Sequence, residues 1–315
     1  MQNKAIRIVW DESTKDSWTG LLSRVEDSCH LHSWGYGEAI RLHTDMHVRR
    51  GIIYKSVKPI GIVQAIQKKS LMGFMTKTTI TRGPQWIEDL ASQEDKSEAL
   101  QILRLTFNNG FRGSFELSPE MENSTQNKNL LKSLGFEQIG PGLSTQYLDL
   151  KQNIQQIRSQ CDPEWVQRLC LAEENQFHVS FSDDFMSLEW MLEKYNESVK
   201  THHIKGPSAD FIRCFLFNNE RPLFIAKIVV VEPLLAGALI VTHGKSATYL
   251  LGWSSPEGLE KNASHILLWK SLDHLKRMGI ESLDLGGLDM KNAYNITSLK
   301  QGLCPRSQVL VGDYR

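Results

Sequence analysis

The sequence predicts a mixed α/β protein made of two similar domains in tandem. Three observations carry this: an internal repeat, the same order of elements before each copy, and the length. The chain has 315 residues, 41% hydrophobic and 23% charged. That is ordinary for a globular chain and comfortable for two domains.

The repeat lies at a constant offset of 168. "GSFELSPEMENSTQNKNLLKSLGF" (113–136) lies over "ESLDLGGLDMKNAYNITSLKQGL" (281–303). Phe115, Glu116 and Leu117 fall on Leu283, Asp284 and Leu285. Pro119 falls on Gly287, Leu131 on Leu299 and Lys132 on Lys300. Each copy reads as a short strand, a polar turn and a short helix.

A helix precedes each copy, over 97–111 and 263–279. In the second, Ile266, Trp269, Leu272 and Leu275 recur at helical spacing, and Gly279 stands where a C′ glycine belongs. A strand pair precedes each helix. The first is "GIIYKSVKPIGIVQAIQKK" with "MGFMTKTTITRG"; the second is "PLFIAKIVVVEPLLAGALIVTHG" with "SATYLLGWSS". The expected domains are 1–150 and 151–315, with a helical crossing segment over 150–180.

Composition removes several classes. Lys+Arg and Asp+Glu are both 36, so no global basic charge calls for nucleic acid. The five cysteines are scattered without zinc-ligand spacing. They read as reduced thiols, which points to the cytoplasm. "MQNKAIRIVWDEST" has no apolar signal core. The long apolar stretch 223–242 contains Lys227, Glu232 and Pro233, so it reads as two strands, not a membrane span. No dinucleotide fingerprint, P-loop, nucleophile elbow or H-E-x-x-H is present.

Residues 41–82 carry nine Lys/Arg and one acid, a local net charge of +8. This is either a patch for phosphates or an RNA backbone, or a solvated sheet face. "SCHLHSWGYGEAIRLH" (28–43) leads Trp34 and Tyr36 into a short amphipathic helix with Arg41, which reads as a core aromatic cluster or a site. "YLLGWSSPEG" (249–258) ends a strand with Tyr249 and Trp253 before a helix. Free N–H groups there would favour an anion or carbonyl oxygen, and a plain connection is the other reading. Gly286 and Gly287 allow a tight turn or the close approach of a ligand.

Taken in order, "HSWGYGEAIR", "TRGPQW", "LKSLGF" with "STQYLDL", "YLLGWSS" and "GIESLDLGG" ending in "LKQGL" resemble the Fem-type aminoacyltransferases of peptidoglycan interpeptide bridges. The resemblance spans nearly the whole chain. It implies two tandem GNAT-like domains, an α/β (α+β) fold of mixed sheets flanked by helices. It implies transfer of an amino acid from aminoacyl-tRNA to an amino group, such as that of a muropeptide precursor, with no metal or ATP.

Residue by residue, it implies phosphate contacts for Arg41 and Lys205 and an acceptor-site role for Tyr249 and Trp253. It implies charge stabilisation at the reacting ester for Lys300. Leu299 stands where the family has phenylalanine, and no inserted coiled-coil arm is visible. Trp34, Tyr36, Gly286 and Gly287 complete the expected substrate-binding set. Two other readings follow from the same sequence: an acyl-coenzyme A-dependent N-acyltransferase, and a non-catalytic binding scaffold. The first would need a glycine-rich turn that "GWSSPEGLEKNAS" lacks.

Overall fold

The computed structural model describes residues 5–70, 75–108, 113–202, 206–219, 224–229, 234–287 and 294–315. The chain folds as two compact units. One comprises Met1–Ser144, Phe217–Glu220 and Gln308–Arg315; the other comprises Thr145–Leu216 and Arg221–Ser307. The first unit is therefore not closed by a single cut near residue 150. It takes back the C-terminal residues as a strand.

Its elements are β1 (Ile6–Trp10), α1 (Lys15–Leu22), α2 (Trp34–His43), β2 (Met46–Lys55), β3 (Lys58–Lys69), β4 (Thr76–Thr81), β5 (Gln85–Trp86), α3 (Gln93–Phe107), β6 (Gly113–Ser118), α4 (Thr125–Ser133) and β7 (Gln138–Gly140). The other unit continues with β8 (Ser144–Asp149), α5 (Ile154–Gln160), α6 (Pro163–Glu174), β9 (His178–Ser182), α7 (Phe185–His202), α8 (Ala209–Phe217), β10 (Phe224–Val229), β11 (Ala236–His243), β12 (Ser246–Ser254), α9 (Pro256–Glu260), α10 (Ala263–Arg277), β13 (Ser282–Asp284), α11 (Tyr294–Gln301) and β14 (Arg306–Val309). The last strand, β15 (Asp313–Tyr314), belongs to the first unit.

Among the described residues the first sheet runs β1-β2-β3-β4-β6-β15-β7, with β5 beside β3. The second runs β14-β8-β13-β12-β11-β10-β9. The repeat is visible in the pairing. β4 and β6 are parallel and joined through α3; β12 and β13 are parallel and joined through α10. Antiparallel hairpins such as β2 with β3 and β11 with β12 stand beside them, and β8 and β15 come from far along the chain to pair antiparallel with β13 and β6. These are the mixed α/β units that the repeat predicts.

Each long helix forms for local reasons. Ser92 and Asp95 make a capping box at the start of α3, and Lys55 pairs with Asp95 at 2.6 Å. At the other end of α10, Gly279 has φ +76°. Its N–H donates to Lys276 O, and Ile280 N–H donates to Leu275 O, a Schellman closure. Ile266, Trp269, Leu272 and Leu275 are all buried against the sheet, joined by Leu267 and Leu268. Each such large apolar side chain contributes roughly 1.5–3 kcal/mol relative to exposure. The segment expected to cross between domains holds α5 and α6. Trp165, Leu169 and Ala172 of α6 pack into the same core as α10. The described residues of the apolar stretch 223–242 hold β10 and most of β11, paired antiparallel. No described helix is long and apolar enough to cross a membrane.

His32 ties the first unit together. Its Nδ1 accepts from Gln64 N–H at 3.2 Å, so Nε2 carries the proton and donates to Thr81 O at 3.1 Å. Trp18 Nε1 donates to His32 O at 2.8 Å. Burial pushes the imidazole pKa down to about 4, outweighing the backbone bond to Thr81 that raises it. The unfolded imidazole binds a proton near 6.5. Stability is therefore intact above pH 6.5 and is lost as pH falls from 6.5 towards 4, by up to about 3 kcal/mol. Urea unfolding at pH 7 and pH 4.5 should show this loss, and His32→Gln should flatten the slope.

Candidate functional site

β12 and β13 pair from Ser246↔Ser282 to Thr248↔Asp284, and there β13 stops. β12 runs on to Ser254, paired on its other side with β11. The two strands part beyond Thr248, and several polar groups converge at that fork. Asp284 is buried at the end of β13. Its Oδ1 accepts from Thr145 Oγ1 at 2.6 Å and from Gly286 N–H at 2.7 Å. Gly286 has φ +74°, the left-handed region that only glycine enters freely. The aspartate two residues earlier therefore holds Gly286 in a conformation that suits glycine.

Lys300 reaches the fork from α11. It is only 8% exposed, and its Nζ lies 5.2 Å from the centroid of the Tyr249 ring. A Cβ placed on Gly286 would sit 3.9 Å from that Nζ and 3.9 Å from Tyr249 O. Burial pulls the Lys300 pKa down to about 8, against the opposite pull of Asp284. Burial raises the Tyr249 phenol above its usual value, so the ring stays neutral and offers its π face to the cation. A cation held in a low-dielectric wall acts strongly on nearby charge.

Trp165 holds the helix that carries this lysine. Its Nε1 donates to Leu299 O at 2.9 Å. A Cβ on Gly302 would fall 2.3 Å from Trp165 Cδ1, so the ring packs directly on that glycine. Sequence reasoning did not single out Thr145, Trp165 or Asp284. Only Asp284 left a signal: it repeats the acidic position of Glu116.

The repeat also separates the two lysines. Leu131 and Leu299 are both buried at equivalent positions. Lys132 is exposed, whereas Lys300 is buried. Glu116 pairs with Lys77 at 2.7 Å, while Asp284 turns inward to Thr145 and Gly286.

Trp253 follows Tyr249 on β12 but makes different contacts. Its ring meets Trp190 of α7 edge-on at 5.6 Å, and Lys194 Nζ lies 5.4 Å from its centroid. Gly287 is exposed beside Gly286. Lys205 lies outside the described residues. In the first unit, Trp34 stacks with Arg50, whose Cζ lies 3.7 Å from the ring centroid. Tyr36 meets His30 edge-on at 5.9 Å, and burial raises its phenol to about 12. Arg41 is bonded to Glu38 at 2.7 Å with its side chain 57% exposed. Burial pushes the Glu38 carboxyl up, but bonds from Arg41 and Arg50 bring it below its usual value.

The basic segment is largely neutralised. Arg41 and Arg50 pair with Glu38, Arg49 with Asp11, Lys55 with Asp95, Lys77 with Glu116 and Arg82 with Glu120. All those acids lie outside residues 41–82. These six cations already have acidic partners, and Arg82 is buried, so they do not form an open phosphate patch.

The turn before α10 is closed as well. Ser255 Oγ accepts from Gly258 N–H at 2.9 Å. The N–H groups of Leu259, Lys261, Asn262 and His265 all donate to nearby backbone oxygens. Ser255 thus caps α9, whereas Asn262, the residue before α10, has φ +55° and gives that helix no side-chain cap. No cluster of metal-binding side chains is present among the described residues.

The two units define the class of fold: GNAT-type domains in tandem. A solved structure of FemX matches at a TM-score of 0.79, with 15% identity over 97% of this chain and 96% of that one. A tandem GNAT protein from the clavulanic acid biosynthesis pathway matches at 0.52, with 10% identity over 98% of each chain. A C-terminal domain described as that of a lysylphosphatidylglycerol synthetase from Agrobacterium fabrum matches at 0.53, with 14% identity over 96% and 92%. At these identities the likeness establishes the fold. No protein-family model and no curated protein sequence matches the chain.

The open space around Gly286 gives a clear mutational outcome. Gly286→Ala meets no close side chain, so its cost comes from the backbone, about 1–2 kcal/mol. Chemical denaturation should show that loss.

Proposed function

We propose that the protein is an aminoacyltransferase that moves an amino acid from aminoacyl-tRNA to an amino group. The acceptor is an amine of a peptidoglycan precursor or a related compound, and the reaction takes place in the cytoplasm, where charged tRNA is found. The observation that carries this reading is Lys300, buried over the Tyr249 ring at the fork of β12 and β13. The fold shared with FemX supports it.

The chemistry needs little else. The ester of an aminoacyl-tRNA is already activated. An acceptor amine attacks its carbonyl carbon, and the carbonyl oxygen gains negative charge. A fixed ammonium facing that oxygen lowers the barrier, and binding the two substrates side by side supplies much of the remainder. The bond to the ribose oxygen then breaks, the amine loses its proton, and the tRNA leaves with its hydroxyl restored. Tyr249 and Trp253 would line the acceptor side, and the exposed Arg41 with Lys205 would contact phosphates of the substrates. For that, Arg41 would exchange Glu38 for phosphate.

Acyl-coenzyme A as donor is the second reading, motivated by the tandem GNAT likeness. The connection before α10, "GWSSPEGLEKNAS", weighs against it, because it lacks the glycine-rich turn that such a donor needs. Calorimetric titration with acetyl-coenzyme A should therefore show no binding. If neither charged tRNA nor coenzyme A binds, the scaffold reading takes their place.

Two outcomes test the lysine. With a charged tRNA pool and candidate amines, Lys300→Ala should reduce transfer about 10²–10³-fold while the protein stays folded. Transfer at wild-type rate by that variant would remove Lys300 from the chemistry. The pH profile follows from a pKa of about 8. Lys300 is cationic below it and loses its charge above it, so single-turnover transfer should fall on the alkaline side from about pH 8.

A further inference from the structure

We propose that Asp284, clasped by Thr145, is the positioning residue of the Lys300 site: it sets the Gly286 turn and holds the Lys300 ammonium against it. This rests on the reading of Lys300 as the cation that faces the reacting ester.

The geometry is specific. Asp284 is 1% exposed, and its Oδ1 alone takes both the Thr145 hydroxyl and the Gly286 amide. The first bond anchors the carboxylate to β8. The second fixes a glycine in a left-handed conformation, where an added Cβ would lie 3.9 Å from Lys300 Nζ. A buried carboxylate and a buried ammonium each require a counter-charge, because either alone in the interior is costly. The groups facing Lys300 are the Asp284 carboxylate from β13 and the neutral Tyr249 ring from β12. Burial pulls Lys300 towards the neutral form, and Asp284 pulls it back towards the charged one.

The internal repeat isolates the feature. At the equivalent position of the first unit, Glu116 is committed to Lys77, and Lys132 points to solvent. With the same acid-and-lysine spacing, both the acid and the lysine are buried only where Thr145 clasps the acid.

Asp284→Asn keeps an acceptor for Thr145 and Gly286 but removes the charge. The readout is trace labelling of the intact protein with acetic anhydride across pH 6–10, followed by mass spectrometry of the peptide containing Lys300. In the wild-type protein the labelling midpoint should lie near pH 8. In Asp284→Asn it should move to lower pH, so that Lys300 labels about tenfold more at neutral pH. The alkaline limb of transfer should move in the same direction. Thr145→Val keeps both charges and frees the carboxylate; it should shift the midpoint the same way by less. It also serves if the asparagine variant fails to fold. An unchanged midpoint in the folded variants overturns the proposal. Because labelling needs no substrate, a midpoint shift without any tRNA-dependent transfer would remove the aminoacyl reading and leave the Asp284–Lys300 coupling standing.

Discussion

β12 and β13 run in parallel register only as far as Thr248 and Asp284, and β12 then continues to Ser254 without that neighbour. A parallel pair joined through a helix buries that helix on the sheet, and α10 supplies the apolar face that makes the burial favourable. Where the pairing ends, backbone groups and side chains need other partners. Asp284 provides one through Gly286, and Thr145 provides one for Asp284. The left-handed Gly286 and the buried lysine over the Tyr249 ring both lie at that single stop.

The two units show how one pattern produces two outcomes. Their β-β-β-α-β order is the same, and both parallel pairs close the same way. The strand that flanks the repeat differs: β15 lies beside β6, and β8 lies beside β13. Ser118 Oγ donates to Asp313 Oδ1 at 2.5 Å in the first unit, and Thr145 donates to Asp284 in the second. The hydroxyl and the acid have exchanged strands. That exchange leaves the acid on β15 in one unit and places it on β13, near the lysine helix, in the other.

The basic stretch shows the limit of counting charge along a chain. Residues 41–82 carry an excess of eight positive charges, yet six of the nine cations face acids drawn from outside the stretch. Folding brings Asp11, Glu38, Asp95, Glu116 and Glu120 to them. The exposed pairs among them, such as Arg41–Glu38, add little stability each. Their larger effect is to reduce the positive field that the linear sequence implies.

The sequence by itself determined the repeat, the order of elements and the helix ends, because apolar spacing and glycine chemistry are local. Ile266, Trp269, Leu272 and Leu275 mark one face, and Gly279 can close the helix wherever it lies. It also marked Lys300 and the glycine pair. Only the tertiary structure decided that Lys300 is buried and Lys132 is not, since both follow the same leucine in the same repeat. Only the structure joined Thr145 to Asp284 and Trp165 to Leu299, which lie 139 and 134 residues apart. Contacts at such separations leave no periodic trace, because their geometry is set by which strands the sheet places side by side.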